Sequence, residues 1–197
     1  MRKARIAVLV SGGGTNLQAL LDAQEAGILQ SGEISLVISN NPKAYALRRA
    51  EQAGVKHLVL TGADFEERLE EALQEAEIDL VILAGFMRIL SAEFTARHPD
   101  RILNVHPALI PAFCGKGFYG LRVHEAALKR GVKVTGATVH FVNEIPDGGK
   151  ILLQKAVPVL PGDTPELLQR RVMEQAEWIL LPEAAELVSS EIIKERM

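Results

Sequence analysis

The chain has 197 residues, 48% of them hydrophobic and 24% charged, with a formal net charge of −3. These values describe a globular protein with one sizeable core rather than a disordered segment. They argue against a nucleic-acid binder, since no broad basic field is available for a phosphate backbone, although a pocket for a single phosphate is still allowed.

The start, "MRKARIAVLVSGGG", has basic residues before apolar ones, but the apolar run Ile6–Val10 is too short for a signal peptide and reads as a first strand. Strand-length apolar runs follow at residues 34–39, 57–60, 79–84 and 101–105. Helical spacing occupies 16–26, 43–53, 64–76 and 91–97 between them. Asn41-Pro42 signals a helix start and Gly54 a stop. This alternation predicts an α/β domain with a mostly parallel, Rossmann-like sheet flanked by helices. After residue 131, "VTGATVHFV" and "ILLQKAVPV", joined through Asp147-Gly148-Gly149, predict an antiparallel C-terminal strand pair. From Thr164 to about Ser189 the chain reads as helical, with Asp163 or Thr164 as cap and Pro182 kinking or dividing the stretch. No run approaches the roughly 20 apolar residues that span a bilayer. One cysteine, Cys114, excludes an internal disulfide and fits a reducing cytoplasm.

Ligands of such sheets collect beyond the carboxyl ends of the strands. After the first strand, Ser11-Gly12-Gly13-Gly14-Thr15-Asn16 leads into a helix, so free backbone N–H groups and the positive helix end suit a phosphate. The loop matches neither a dinucleotide fingerprint nor a P-loop, and a plain glycine turn is the other reading. After the fourth strand, Phe86, Met87, Arg88, Ile89 and Leu90 read as a slot for a flat ligand or as ordinary core with a surface Arg. After the fifth, Asn104 and His106 lie two apart on an extended chain and therefore on one side. An amide there can hold an oxyanion and an imidazole can move a proton; a hydrogen-bonded turn His explains His106 equally. Asp147, in the later glycine turn, can orient or charge that imidazole, or be a turn Asp. His140 suits strand packing or support of the same group. The five histidines (57, 98, 106, 124, 140) lack i, i+4 spacing and a cysteine cluster, which argues against a metal site.

Together "VLVSGGGTNLQALL", "ILAGFMRIL", "LNVHPALIP", "TGATVHFVNE…DGG" and "GDTPELLQRRV" resemble the folate-dependent phosphoribosylglycinamide formyltransferases, over nearly the whole chain. The resemblance implies one formyltransferase domain over 1–197, its N-terminal half on phosphate and substrate and its C-terminal half on folate. It implies formyl transfer from 10-formyltetrahydrofolate to the amine of 5′-phosphoribosylglycinamide, in the cytoplasm, with small-molecule partners. It makes Asn104, His106 and Asp147 catalytic, and puts the substrate on Gly14, Thr15, Asn16 and Glu177, the last chosen over Glu174 by its distance to Pro182. It puts folate against Arg68, residues 86–90 and Val142. Asp147 is expected to keep His106 protonated by raising its pKa and to order a proton-relaying water. Relatives occur as monomers and dimers, and a homodimer is the hypothesis for assembly. The rivals are a 10-formyltetrahydrofolate hydrolase, a formyltransferase acting on methionyl-tRNA and a non-catalytic nucleotide-binding domain. The first carries a regulatory domain ahead of this core and the second a further C-terminal domain. A core beginning at residue 5 and a sequence ending at 197 favour the phosphoribosylglycinamide branch.

Overall fold

The computed structural model describes residues 2–196. Seven strands form one sheet: β1 (Ala4–Val10), β2 (Gly32–Ser39), β3 (His57–Val59), β4 (Leu80–Leu83), β5 (Ile102–His106), β6 (Val134–Phe141) and β7 (Ile151–Pro158). Their spatial order is β3-β2-β1-β4-β5-β6-β7. The first five strands are mutually parallel, and β6 pairs antiparallel with both β5 and β7. The expected strands are all present. β1 and β4, rich in branched apolar residues and buried on both faces, fill the middle of the sheet.

The helices are α1 (Thr15–Glu25), α2 (Ala46–Gln52), α3 (Phe65–Glu75), α4 (Ala92–Arg97), α5 (Leu121–Arg130), α6 (Pro165–Val172) and α7 (Trp178–Glu195). Two apolar clusters cover the two faces of the sheet. One joins β1, β4 and β5 to α1 and α7, and the other packs Phe65, Leu69, Leu73 and Phe94 beneath α3 and α4. Of the two cap candidates before α6, Thr164 is the cap, its hydroxyl accepting from the Leu167 N–H at 3.3 Å. Asp163 instead takes a two-pronged bond from Arg171 at 2.5 and 2.6 Å, which holds its carboxyl below the usual range.

Two expectations need correction. The C-terminal helical stretch divides not at Pro182 but at a π-helical turn, Met173–Glu177, and α7 runs through Pro182 to Glu195. Pro182 is the fifth residue of α7, so it removes a single helical bond, and burial of Leu181, Ala184, Ala185 and Val188 keeps the helix whole. In addition, α5 was not anticipated. Its signals are the buried Val123, His124 and Ala127 and the Lys129-Arg130-Gly131 stop, where Gly131 takes φ +76°.

The strand order reverses between β1 and β4. The chain builds outward to β2 and β3, then returns to β4 on the other side of β1. Beyond the carboxyl ends of these two strands lie the glycine loop and the 84–90 loop, at the point where such sheets bind ligands. The two loops are tied together: the Met87 N–H donates to the Ser11 hydroxyl at 2.8 Å, and that hydroxyl donates to Asn40 Oδ1 at 2.7 Å.

Candidate active site

Antiparallel pairing of β5 with β6 sets Asn104 opposite His140 and His106 opposite Thr138. Asn104 Nδ2 lies 3.1 Å from His140 Nε2, and His140 Nδ1 lies 2.8 Å from the Phe141 carbonyl. A carbonyl only accepts, so His140 Nδ1 carries a proton, and in the tautomer with that single proton Nε2 accepts from the Asn104 amide. One Asn104 amide hydrogen is thereby used and the other is left for a ligand. A bulge in β7 opposite Val139 and His140 breaks the ladder beside this pair.

Asp147 arrives from the loop between β6 and β7. Its φ is +56°, and Gly149 two residues on packs against the Phe141 carbonyl where no Cβ would fit. Asp147 Oδ2 is 3.5 Å from His106 Nδ1, and Oδ1 is 3.6 Å from His140 Nε2. Asn104, His106, His140 and Asp147 therefore form one cluster, with both histidine rings buried. Burial works against the Asp147 carboxylate, but the adjacent His140 ring, the Gly115 N–H at 2.8 Å and His106 outweigh it and hold its pKa below the ordinary value.

His106 departs from its expected state. Burial lowers its pKa by more than Asp147 and the Phe113 carbonyl raise it, so the ring is held below its usual value and is neutral near pH 7. The carboxylate acts with the anticipated sign, but desolvation is the larger effect. His106 Nε2 donates to the Phe113 carbonyl at 2.8 Å. The 113–115 segment thus engages both His106 and Asp147.

The glycine loop meets the C-terminal helices. Asn16 Nδ2 donates to Glu177 Oε2 at 2.8 Å, and Thr15 Oγ1 lies 4.0 Å from Met173 Sδ. Glu177 is buried at the end of the π turn while Glu174 is exposed, so Glu177 is the carboxylate facing the loop. The extra residue of the π turn lets Glu177 point inward. Burial, opposed by Asn16, pushes the Glu177 carboxyl up to about 7. Its folded pKa exceeds its unfolded value near 4.5, so its contribution to stability is whole below about pH 4.5 and is lost as pH rises to about 7. Glu177→Gln should therefore gain stability on the wild type between pH 4.5 and pH 7.5 in urea titrations; a constant difference over that range would contradict this.

Gly14, which caps α1, has φ +72°, and a Cβ on it would stand 2.6 Å from the Ala46 Cβ. Left-handed strain and overpacking together should cost Gly14→Ala about 2–4 kcal/mol. The same change should push α2 from the loop and weaken anion binding. Chemical denaturation with a phosphate titration checks both, and wild-type behaviour in each would refute the close approach.

Around the 86–90 loop, Phe86 stacks on Phe65 with ring centroids 5.7 Å apart, and the Arg88 guanidinium lies 4.6 Å over the Phe65 ring. Arg88 also donates to the Gly62 carbonyl at 2.9 Å. Leu90 is core, whereas Met87 (56% exposed) and Ile89 (70% exposed) face outward. Glu66 of α3 takes the Ser91 N–H at 2.7 Å and fixes the end of the loop. Arg68 is exposed two residues along the same helix. Val142 extends β6, donating to the Ile102 carbonyl at 2.9 Å. Sequence reasoning missed the Phe113 and Gly115 backbone contacts, which involve no side chain of theirs. His124, which the family pattern carries over only weakly, is fully buried, and neither ring nitrogen has a partner among the described residues.

The formyl transferase family model matches residues 4–184. The chain belongs to the formyl transferase family. A Haemophilus influenzae protein named phosphoribosylglycinamide formyltransferase is 43% identical over 184 residues, covering 90% of this chain and 84% of that protein. The human trifunctional purine biosynthetic protein adenosine-3 is 45% identical over 195 residues, and the match spans 96% of this chain but 19% of that protein. Among solved structures, glycinamide ribonucleotide transformylase 1 from Symbiobacterium toebii superposes with a TM-score of 0.88 at 46% identity, over 96% of this chain and 89% of that one. This formyl transferase thus shares its fold and nearly half its residues with proteins bearing the name that its motifs suggest.

Proposed function

We propose that the protein transfers the formyl group of 10-formyltetrahydrofolate to the amine of 5′-phosphoribosylglycinamide, giving the N-formyl product and tetrahydrofolate. The observation that carries this reading is the cluster of Asn104, His106, His140 and Asp147, two imidazoles gathered on one carboxylate with an amide donor bonded to one of them. The names of relatives that align over most of their own length support the choice of substrates.

The amine nitrogen attacks the formyl carbon, and negative charge grows on the formyl oxygen. The free Asn104 N–H answers that charge. A carbon–nitrogen bond to the amine forms and the bond to the folate nitrogen breaks; the amine loses a proton and the folate nitrogen gains one. His106, neutral at the outset with its proton on Nε2, takes a proton at Nδ1, where ionised Asp147 stabilises the resulting imidazolium, and Nε2 then gives its proton to the folate nitrogen. The 113–115 segment releases its bonds to both as substrate enters. Gly14, Thr15 and Asn16 take the phosphate at the start of α1, and Glu177 takes a polar group of the same substrate. Folate lies along residues 86–90 and Val142, with Arg68 toward its carboxylate tail. Holding two small molecules in reacting geometry supplies much of the rate.

All these contacts fall within one domain. Cytoplasmic location belongs to the same proposal, supported by the single free thiol of Cys114. So does a homodimer, for which the exposed Ile28 and Ile179, flanking a groove of about 700 Å³ between α1 and α7, offer a surface; light scattering decides it. Among the described residues no helix is long and apolar enough to cross a membrane. The activity is tested by following tetrahydrofolate release from 10-formyltetrahydrofolate with and without phosphoribosylglycinamide. Release only in its presence is expected. Equal release without it would mean a hydrolase, and none in either case a binding module.

A further inference from the structure

The glycine loop carries no lysine, yet a cation reaches it from α2. Arg49 Nε donates to the Gly13 carbonyl at 2.8 Å, and its Nη1 donates to Gln18 Oε1 at 2.8 Å. The guanidinium carbon lies 5.1 Å over the Tyr45 ring. One residue earlier in the loop, the Gly12 carbonyl accepts from the Ala46 N–H at 3.1 Å. Two successive loop carbonyls are thus held by α2, and the N–H groups of the same peptide units are turned away from it. The Gly13 carbonyl and the Gly14 N–H belong to one trans peptide, so they point in opposite directions.

We propose that Arg49 is a positioning residue for the phosphate loop: by bonding the Gly13 carbonyl it orients the Gly13–Gly14 peptide and polarises its N–H toward a phosphate. The inference rests on the placement of the substrate phosphate at Gly14, Thr15 and Asn16. A charged donor on the carbonyl draws electron density from the peptide and strengthens the N–H as a donor, as in any hydrogen-bonded chain. The cation also offsets the anion's charge from behind the loop without touching it. Gln18, on the first turn of α1, holds the guanidinium in place. Arg49 thereby does the electrostatic part of what a lysine does in other phosphate loops, while the backbone supplies the contacts.

The test compares Arg49→Gln, which can keep a donor but loses the charge, with Arg49→Lys, which keeps the charge. Steady-state kinetics are measured with each substrate varied, and inorganic phosphate is titrated by calorimetry. Arg49→Gln should raise the KM for phosphoribosylglycinamide and the Kd for phosphate roughly five- to tenfold. The KM for 10-formyltetrahydrofolate and kcat should stay within about twofold. Arg49→Lys should recover most of the loss, and the wild-type advantage should shrink as salt is raised. Should Arg49→Gln fail to fold, Arg49→Met, which keeps the aliphatic stem, takes its place. An unchanged phosphate Kd, or a loss shared equally by kcat and the folate KM, overturns the proposal. Thr15→Ala is the companion variant. If it raises the KM for phosphoribosylglycinamide while Arg49→Gln does not, only the role of Arg49 falls. If neither does, the phosphate lies elsewhere and both readings fall.

Discussion

Replacing Asn104 by Ala should lower kcat by about 10²–10³-fold, corresponding to about 3 kcal/mol of lost transition-state stabilisation. The KM values should move far less, because the charge that the amide answers exists only as the tetrahedral centre forms. Asn104 is fixed for this task from two directions. Its backbone lies on β5, between β4 and β6, and one amide hydrogen is committed to His140 Nε2 at 3.1 Å. The orientation is in turn dictated by the Phe141 carbonyl, which makes His140 Nδ1 the protonated nitrogen. The variant also strands His140 Nε2 without its donor, so part of the loss comes from a reoriented ring. Parallel melting curves separate this from unfolding. A KM rise with kcat intact would show that Asn104 binds substrate rather than the transition state.

The second large effect is on stability. His124 is fully buried on α5 without a hydrogen-bond partner for either ring nitrogen among the described residues, and burial, aided by His106, pushes its pKa down to about 4. The folded pKa is below the unfolded value near 6.5, so the unfolded chain binds the proton first as pH falls. The stability contribution is whole above about pH 6.5 and is lost progressively down to about pH 4, a total loss of about 3 kcal/mol. His106 is shifted in the same direction and adds to the slope. Urea midpoints at pH 7, 5.5 and 4.5 should fall steeply for the wild type. They should fall less for His124→Leu, which replaces the ring with an apolar group of similar size. Parallel curves for the two proteins would place the acid sensitivity elsewhere.

The sheet could be read in advance because its strands carry a signal in their own residues. Runs such as Ile6–Val10 and Leu80–Leu83 are apolar without alternation, as burial on both faces requires. Asn104 and His106 were legible for a related reason: period-two alternation puts them on one side of β5 whatever surrounds them. The residues alone left Asp147 either a partner of His106 or a turn Asp, and the family resemblance chose between them, because a loop 41 residues downstream in sequence leaves no local trace of its contact. The protonation state of His106 was misjudged since a neighbouring carboxylate is visible in a sequence whereas the depth of burial is not. The contacts of Phe113 and Gly115 are made by backbone atoms, which every residue has, so composition is silent on them. The turn that brings Glu177 onto Asn16 has a similar character. It depends on a one-residue π bulge rather than on the proline that drew attention in the sequence.

These corrections alter the chemistry. An imidazolium paired permanently with Asp147 would leave His106 only as a donor and electrostatic group. A neutral His106 held near an ionised carboxylate can instead accept the proton that the attacking amine must lose, and the carboxylate then stabilises the ion formed.

Transfer, rather than hydrolysis, is tested most directly by following the carbon itself. With 10-formyltetrahydrofolate labelled in the formyl group and phosphoribosylglycinamide present, the label should appear in the N-formyl product, one for each tetrahydrofolate released. Label recovered as free formate, at a rate indifferent to phosphoribosylglycinamide, would contradict the proposed activity.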